Sequence, residues 1–247
     1  MKRRIQQMIT GMILIGCAVS LNGQNVILKP YYGYYIPRMA DVNAKIDQDM
    51  DNARIFLQAP VPDAGKFDGE PIFGGQFEYH AGEDYFFNVN FFLYQEQVTT
   101  SYQGDGWIFN YEREVEMFDF VLNMHYYFNY NSWRRLNKYV GLGVGLLVLN
   151  ANSLTFSTNS DYLSDSKGEF NSNTLTGVLS AGLNYRLSNY LQLWGEGGVQ
   201  FGNFGQIDGK VSSLENPEKR DFISDSSFDM TGFFLRGGLG IGLPFLH

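Results

Sequence analysis

The sequence predicts an all-β protein: an eight-stranded antiparallel transmembrane β-barrel with short periplasmic turns and long extracellular loops. Three observations carry that expectation. First, the stretch 227–245 alternates with a period of two. Thr231, Phe233, Leu235, Leu239, Ile241, Leu243 and Phe245 share one face, while the other holds mainly glycines with a single arginine, Arg236. Period two marks a strand, and an oily outer face over a small or polar inner one is what a barrel wall in lipid needs. Second, the connections between such stretches alternate strictly between long and short. Third, the chain starts as an exported protein would.

The start carries Lys2, Arg3 and Arg4 ahead of a short apolar run, 8–19. That run is too short to cross a bilayer as a helix and fits a secretory signal peptide over residues 1–23. The barrel domain would then occupy residues 24–247. Cleavage could follow the small residues at 18–20 or fall beside Gly23. An alternative is a lipobox at 14–17, which would make Cys17 an acylated N-terminus; a barrel needs no such anchor. With Cys17 removed, disulfides play no part. Removing three basic residues takes the formal net charge from −8 to −11, which argues against nucleic acid as a partner. The mean hydropathy of −0.21 looks soluble, as expected where only alternate strand residues meet lipid.

Taken in order, 25–36 is the first strand, with Tyr32, Tyr34 and Ile36 on one side and Lys29, Tyr31 and Tyr35 on the other. Pro30 interrupts it, so the strand is expected to begin beyond that residue or to carry a bulge there. Residues 37–71 form a polar loop with a short helix over 40–53. The second strand, 72–80, sends Phe73, Phe77 and Tyr79 out and Gln76, Glu78 and His80 in. A tight turn at 81–84 leads to 85–98, with Tyr85, Phe87, Phe91 and Leu93 out and Asn88, Asn90 and Glu96 in. Residues 99–114 are a second long loop. In 115–129, Phe118, Phe120, Leu122, Met124, Tyr126 and Phe128 alternate with Asp119, Asn123, His125 and Tyr127.

A turn at 130–137 precedes 139–150, in which Val140, Leu142, Val144, Leu146 and Val148 alternate with Gly141, Gly143 and Gly145. Residues 151–173 are a Ser/Asn/Thr-rich loop. Strands 174–187 and 190–202 flank a tight turn and bring Arg186 and Glu196 to the inner register; 203–227 is the last long loop. Four long loops on one rim and three short turns on the other is the layout of a bacterial outer-membrane barrel. A soluble two-sheet sandwich would also alternate, but it gives no reason for one-sided loop lengths or for tyrosines near the turns. At a membrane interface a tyrosine places its ring in the acyl region and its hydroxyl among head groups.

With eight strands, a signal-like start, the glycine-rich fifth strand (Gly141, Gly143, Gly145) and an aromatic-bearing closing strand, the chain resembles the small OmpA/OmpX-type outer-membrane β-barrel proteins. The likeness covers residues 24–247 and lies in pattern and length. It implies recognition of the last strand by the barrel-assembly machinery through a final aromatic residue. Here Phe245 keeps the outward register and Leu246 and His247 follow it. No peptidoglycan-binding domain is expected after the barrel.

An eight-stranded barrel has an interior just wide enough to be filled by side chains. Charges there are costly unless paired. The expected lumen network is Lys29, Glu78, Asp119, His125, Arg186, Glu196 and Arg236, the three cations Lys29, Arg186 and Arg236 meeting Glu78, Asp119 and Glu196. His80 and Glu96 share the inward register. Such a network either plugs the lumen or lines a narrow pore. Catalysis would need a histidine beside a nucleophile at an exposed rim, and none of His80, His125 and His247 falls in an outer loop, so no catalytic residue is assigned. Asp47, Asp49 and Asp51 start like a calcium loop, but Asn52 and Gln58 stand where glycine and glutamate are required, so neither metal nor cofactor is expected.

The loops 37–71, 99–114, 151–173 and 203–227 hold most of the acidic residues and are the expected places for a surface ligand. The expected function is that of a non-enzymatic integral outer-membrane protein with a structural or surface-interaction role, exported to the outer membrane of a Gram-negative-type bacterium. A small porin-like channel and a lipid-modifying enzyme are the alternatives. Expected partners are outer-membrane lipid and lipopolysaccharide, with the barrel-assembly machinery during insertion.

Overall fold

The computed structural model describes residues 26–131, 134–159, 162–213, 218 and 220–243. The signal segment, the Cys17 alternative and the Phe245–His247 end lie outside them. In chain order the elements are β1 (Val26–Pro37), α1 (Ala40–Leu57), β2 (Glu70–His80), β3 (Tyr85–Gly104), β4 (Trp107–Tyr127), β5 (Leu136–Thr158), β6 (Leu163–Arg186), β7 (Leu191–Phe201), β8 (Asn203–Ser212), β9 (Arg220–Asp229) and β10 (Gly232–Leu243). Strands β1 to β7 and β10 form a hydrogen-bonded antiparallel ring, closed by the β5–β6 and β1–β10 ladders. Closure leaves no edge whose N–H and C=O groups would need water.

Outward residues form a belt. Leu175 is 81% exposed, Leu235 69% and Val144 67%, and side chains of this size displayed in such numbers belong against hydrocarbon rather than water. The near edge of the belt, beside the short turns, is set by Tyr85 and Tyr126, paired across β3 and β4 with rings 5.3 Å apart. At the far edge Leu93 gives way to Gln95, which stands beside Glu116. From Tyr85 to Leu93 the wall is as long as a tilted crossing strand requires, about 9–11 residues.

Pro30 neither delays β1 nor bulges it. It lies opposite Gly75 on β2, while the ladder to β10 skips residues 29 and 30 and resumes in the same register at Tyr31↔Gly238. Lacking an N–H, proline simply leaves one gap.

Three of the four expected loops are largely strand. Residues 99–114 continue the β3–β4 ladder to Gly104↔Trp107 around a two-residue turn, Asp105 (φ 50°) and Gly106 (φ 78°). Two positive φ values in succession match the twist of a hairpin. The 151–173 stretch likewise extends β5 and β6 to Thr158↔Leu163. Residues 203–227 supply the β8–β9 hairpin, and β8 pairs with the far end of β6 through Lys167↔Ser212 to Phe170↔Gly209. The wall therefore rises well beyond the belt on this side.

The 37–71 connection turns inward. Its helix runs to Leu57, past the expected 40–53, and ends at Gln58 in the left-handed conformation. Val42, Ile46 and Met50 recur every four residues on one face and are buried, packed among residues that include Tyr111, Val115 and Phe228. The return segment is tied down by Asn43, which exchanges two 2.9 Å hydrogen bonds with the backbone of Phe67. The Arg54 Nε donates to the Val61 carbonyl at 2.8 Å. The interior thus has two layers, a polar one within the belt and an apolar one built around α1 above it.

Candidate functional site in the barrel lumen

The charged groups and the imidazole of the polar layer come from the inward register of five strands. Lys29 on β1 lies 2.7 Å from Glu78 on β2, both fully buried. His125 on β4 sets its Nδ1 3.1 Å from the second oxygen of Glu78. On the two strands that follow β1 round the ring, Arg236 on β10 reaches Glu196 on β7 at 2.7 Å. The His125 Nε2 stands 4.0 Å from Glu196, so the imidazole lies between the two carboxylates.

Hydroxyls and amides knit these pairs together. Tyr139 donates to Glu196 at 2.9 Å, Tyr127 to Glu78 at 3.2 Å and Tyr31 to Asn90 at 2.9 Å. Gln76 donates to Glu196, and Asn123 to Asn88, which in turn lies within 2.8 Å of the His125 Nε2. The cations are also faced by rings. Lys29 lies 5.5 Å from the Trp194 ring, and the Arg236 guanidinium 4.6 Å from that of Phe234, contacts that favour a desolvated cation. Room for this filling comes from the β5 glycines. A Cβ on Gly141 would meet the His125 ring, and one on Gly143 would meet Asn123.

Five of the seven expected network residues come together here: Lys29, Glu78, His125, Glu196 and Arg236. The other two do not. Arg186, the last residue of β6, donates instead to Asn189 in the adjoining turn at 2.8 Å; at the rim it is half in water and needs no carboxylate. Asp119 is fully buried higher in the barrel, level with Phe92 and Leu147, and neither carboxylate oxygen has a hydrogen-bond partner. The third expected ion pair is therefore absent. His80 stacks on Phe86, with centroids 4.2 Å apart. Glu96 lies above the belt, accepting from the Asp68 N–H at 2.9 Å and from the Tyr94 hydroxyl.

Sequence reasoning places the connectors Tyr31, Gln76, Asn88, Asn90, Asn123 and Tyr127 on the inward face but assigns only charged residues and His125 to the network. Tyr139, one residue ahead of the alternating run that starts at Val140, is the connector it does not place. Chemically the layer can hold charge: the imidazole lies between two carboxylates and Asn88. Among the described residues no cluster of metal-ligating side chains occurs. Asp47, Asp49 and Asp51 on α1 are each ion-paired, with Lys66, Arg113 and Arg54 respectively.

No family model matches the chain, and no curated protein matches it in sequence. Solved structures do. The outer membrane protein OprG from Pseudomonas aeruginosa superposes with a TM-score of 0.52 at 12% identity, over 90% of this chain and 97% of OprG. A major outer membrane protein from Thermus thermophilus gives 0.51 at 13% identity, over 88% and 99%. At these identities the likeness is one of fold, and the fold is that of the small outer-membrane β-barrel proteins.

Proposed function

We propose that the protein is a non-enzymatic integral outer-membrane barrel with a structural or surface-interaction role and a closed lumen. One observation carries this reading: the interior is blocked twice, by the Glu78–His125–Glu196 layer inside the belt and by the apolar face of α1 above it. A conducting pore needs a continuous wet path, and a layer of fully buried paired charges supplies none. The proposed location is the outer membrane of a Gram-negative-type bacterium, reached after export, with the raised β3–β6 walls outside. Lipopolysaccharide is the proposed lipid partner, its phosphates linked through divalent cations to the acidic residues of the long connections. The barrel-assembly machinery is the proposed partner in insertion.

Planar-bilayer recording of purified protein tests the closed lumen. The expected result is a silent bilayer for the wild type. Stepwise conductance that shifts in Glu196→Gln or Arg236→Gln would overturn the reading and favour a channel.

A further inference from the structure

A cavity of about 270 Å3 lies above the polar layer, between α1 and the raised walls of β4, β5 and β6, with β8 and β9 along its edge. It draws on each of the four long connections, for example through Lys45, Arg113, Ala151 and Val211. Its lining is mixed: Val42, Phe67, Val115, Phe170 and Phe228 supply apolar surface, and Asn152, Ser153, Thr155 and Ser166 add polar groups on the β5–β6 side.

A charged corner borders that surface. Arg113 on β4 sets its Nη2 3.0 Å from Asp49 on α1, and the same carboxylate takes the Tyr111 hydroxyl at 3.2 Å and lies 3.4 Å from Lys45. Asp49 is thus shared three ways, and the Arg113 Nε is buried without an acceptor. Glu114 also borders the cavity, but Gln95 and Asn152 on the outer face hold its carboxylate, at 2.7 and 3.1 Å. Arg113, Lys45 and Asp49 keep 17–24% side-chain exposure, so a solute can reach the corner from water.

Two cations, Arg113 and Lys45, that share one carboxylate and keep some exposed surface at the edge of a partly apolar hollow suit an anion with an apolar body. The volume sets the size. An apolar cavity of about 150 Å3 takes up benzene, and small-molecule pockets span about 300–1,000 Å3. This one lies between, with room for a ring and a carboxylate. We propose that the cavity binds a small organic monoanion about the size of one aromatic ring, its carboxylate on the Arg113 guanidinium and its body against Val42, Phe67 and Phe170. The proposal rests on the closed-lumen reading, because only a sealed floor makes this a dead-end site rather than a stretch of channel.

The test is calorimetric titration of the full protein in lipid nanodiscs with benzoate, benzyl alcohol and benzylammonium. Saturable benzoate binding at one site per chain is expected, with the neutral and cationic isosteres weaker by about tenfold or more, the worth of a charge-assisted hydrogen bond. Arg113→Gln should remove that preference, and Ala151→Leu should fill the cavity and abolish binding, with circular dichroism confirming that both variants fold. Absence of saturable binding to wild type, benzyl alcohol binding as well as benzoate, or unchanged binding in Ala151→Leu would overturn the proposal. Bilayer recording on the same preparation separates the two readings. Conductance alone overturns the closed lumen, whereas a silent bilayer with no benzoate binding overturns only the cavity site.

Discussion

The Lys29 ammonium and the Glu78 carboxylate meet at 2.7 Å with neither side chain touching solvent. They are not opposite one another in the β1–β2 ladder: Lys29 stands beside Gln76, and Glu78 beside Ile27. Removing one partner of such a pair leaves the other charge buried and uncompensated, at a cost of about 3–5 kcal/mol, whereas removing both can be nearly neutral. Lys29→Met is therefore expected to lower the midpoint of urea unfolding in lipid vesicles sharply, and Lys29→Met/Glu78→Gln to recover most of the loss. A single variant as stable as wild type, or a double variant no better than the single, would show that the pair does not hold the polar layer.

The helix is a plug only while its apolar face stays docked. Ile46 is fully buried against the wall, and truncating a buried isoleucine to alanine costs about 2–5 kcal/mol. Ile46→Ala is expected to loosen α1 while leaving the hydrogen-bonded ring intact. Brief trypsin treatment should then cleave at Lys45, Arg54 or Lys66, sites expected to resist in wild type, with the strand signal in circular dichroism unchanged. Equal protease resistance in the two proteins would count against docking as the source of closure.

The strand register was legible because lipid enforces it. From Tyr85 to Leu93 every second residue must be apolar, and the pattern shows. Beyond Leu93 the same strand continues with Gln95, Gln97, Thr99, Ser101 and Gln103 outward, in water, and Tyr94, Val98 and Tyr102 inward toward α1. The contrast inverts at the belt edge, so a search for oily outer faces stops there and takes the remainder for loop. The Asp105-Gly106 pair was a hairpin signal in its own right. Inward charges were likewise legible from alternation, but their partners were not. Pairing depends on diagonal offsets such as that of Lys29 and Glu78, and on where the belt ends, which is what removes Arg186 from the network.

The β5 glycines give a packing prediction. A Cβ on Gly143 would collide with the amide of Asn123, which holds Asn88 and through it His125. A Cβ on Gly177, outward on β6, would meet nothing within 4 Å. Gly143→Ala is expected to cost about 1–3 kcal/mol through overpacking, and Gly177→Ala to be neutral or slightly stabilising, since alanine has less backbone freedom to lose on folding. Urea midpoints measured side by side decide it; equal effects of the two substitutions would mean that the lumen is loosely filled at β5.

Glu96 makes stability depend on pH. It lies above the belt and is buried, and burial pushes its pKa above the ordinary carboxylate value, against hydrogen bonds from Tyr94 and Asp68 that pull the other way. A carboxyl group with a raised pKa in the folded state is protonated there more readily than in the unfolded chain. The folded protein then binds more protons, and stability falls as pH rises through the interval between the two values. Glu96→Gln removes this dependence while keeping an acceptor for the Asp68 N–H. Its advantage over wild type should be small near about pH 4, where the unfolded carboxyl titrates, should grow as pH rises, and should level off once the folded carboxyl has ionised. Unfolding midpoints that run parallel for the two proteins from about pH 4 to about pH 7 would show that the hydrogen bonds, not burial, set the ionisation of Glu96.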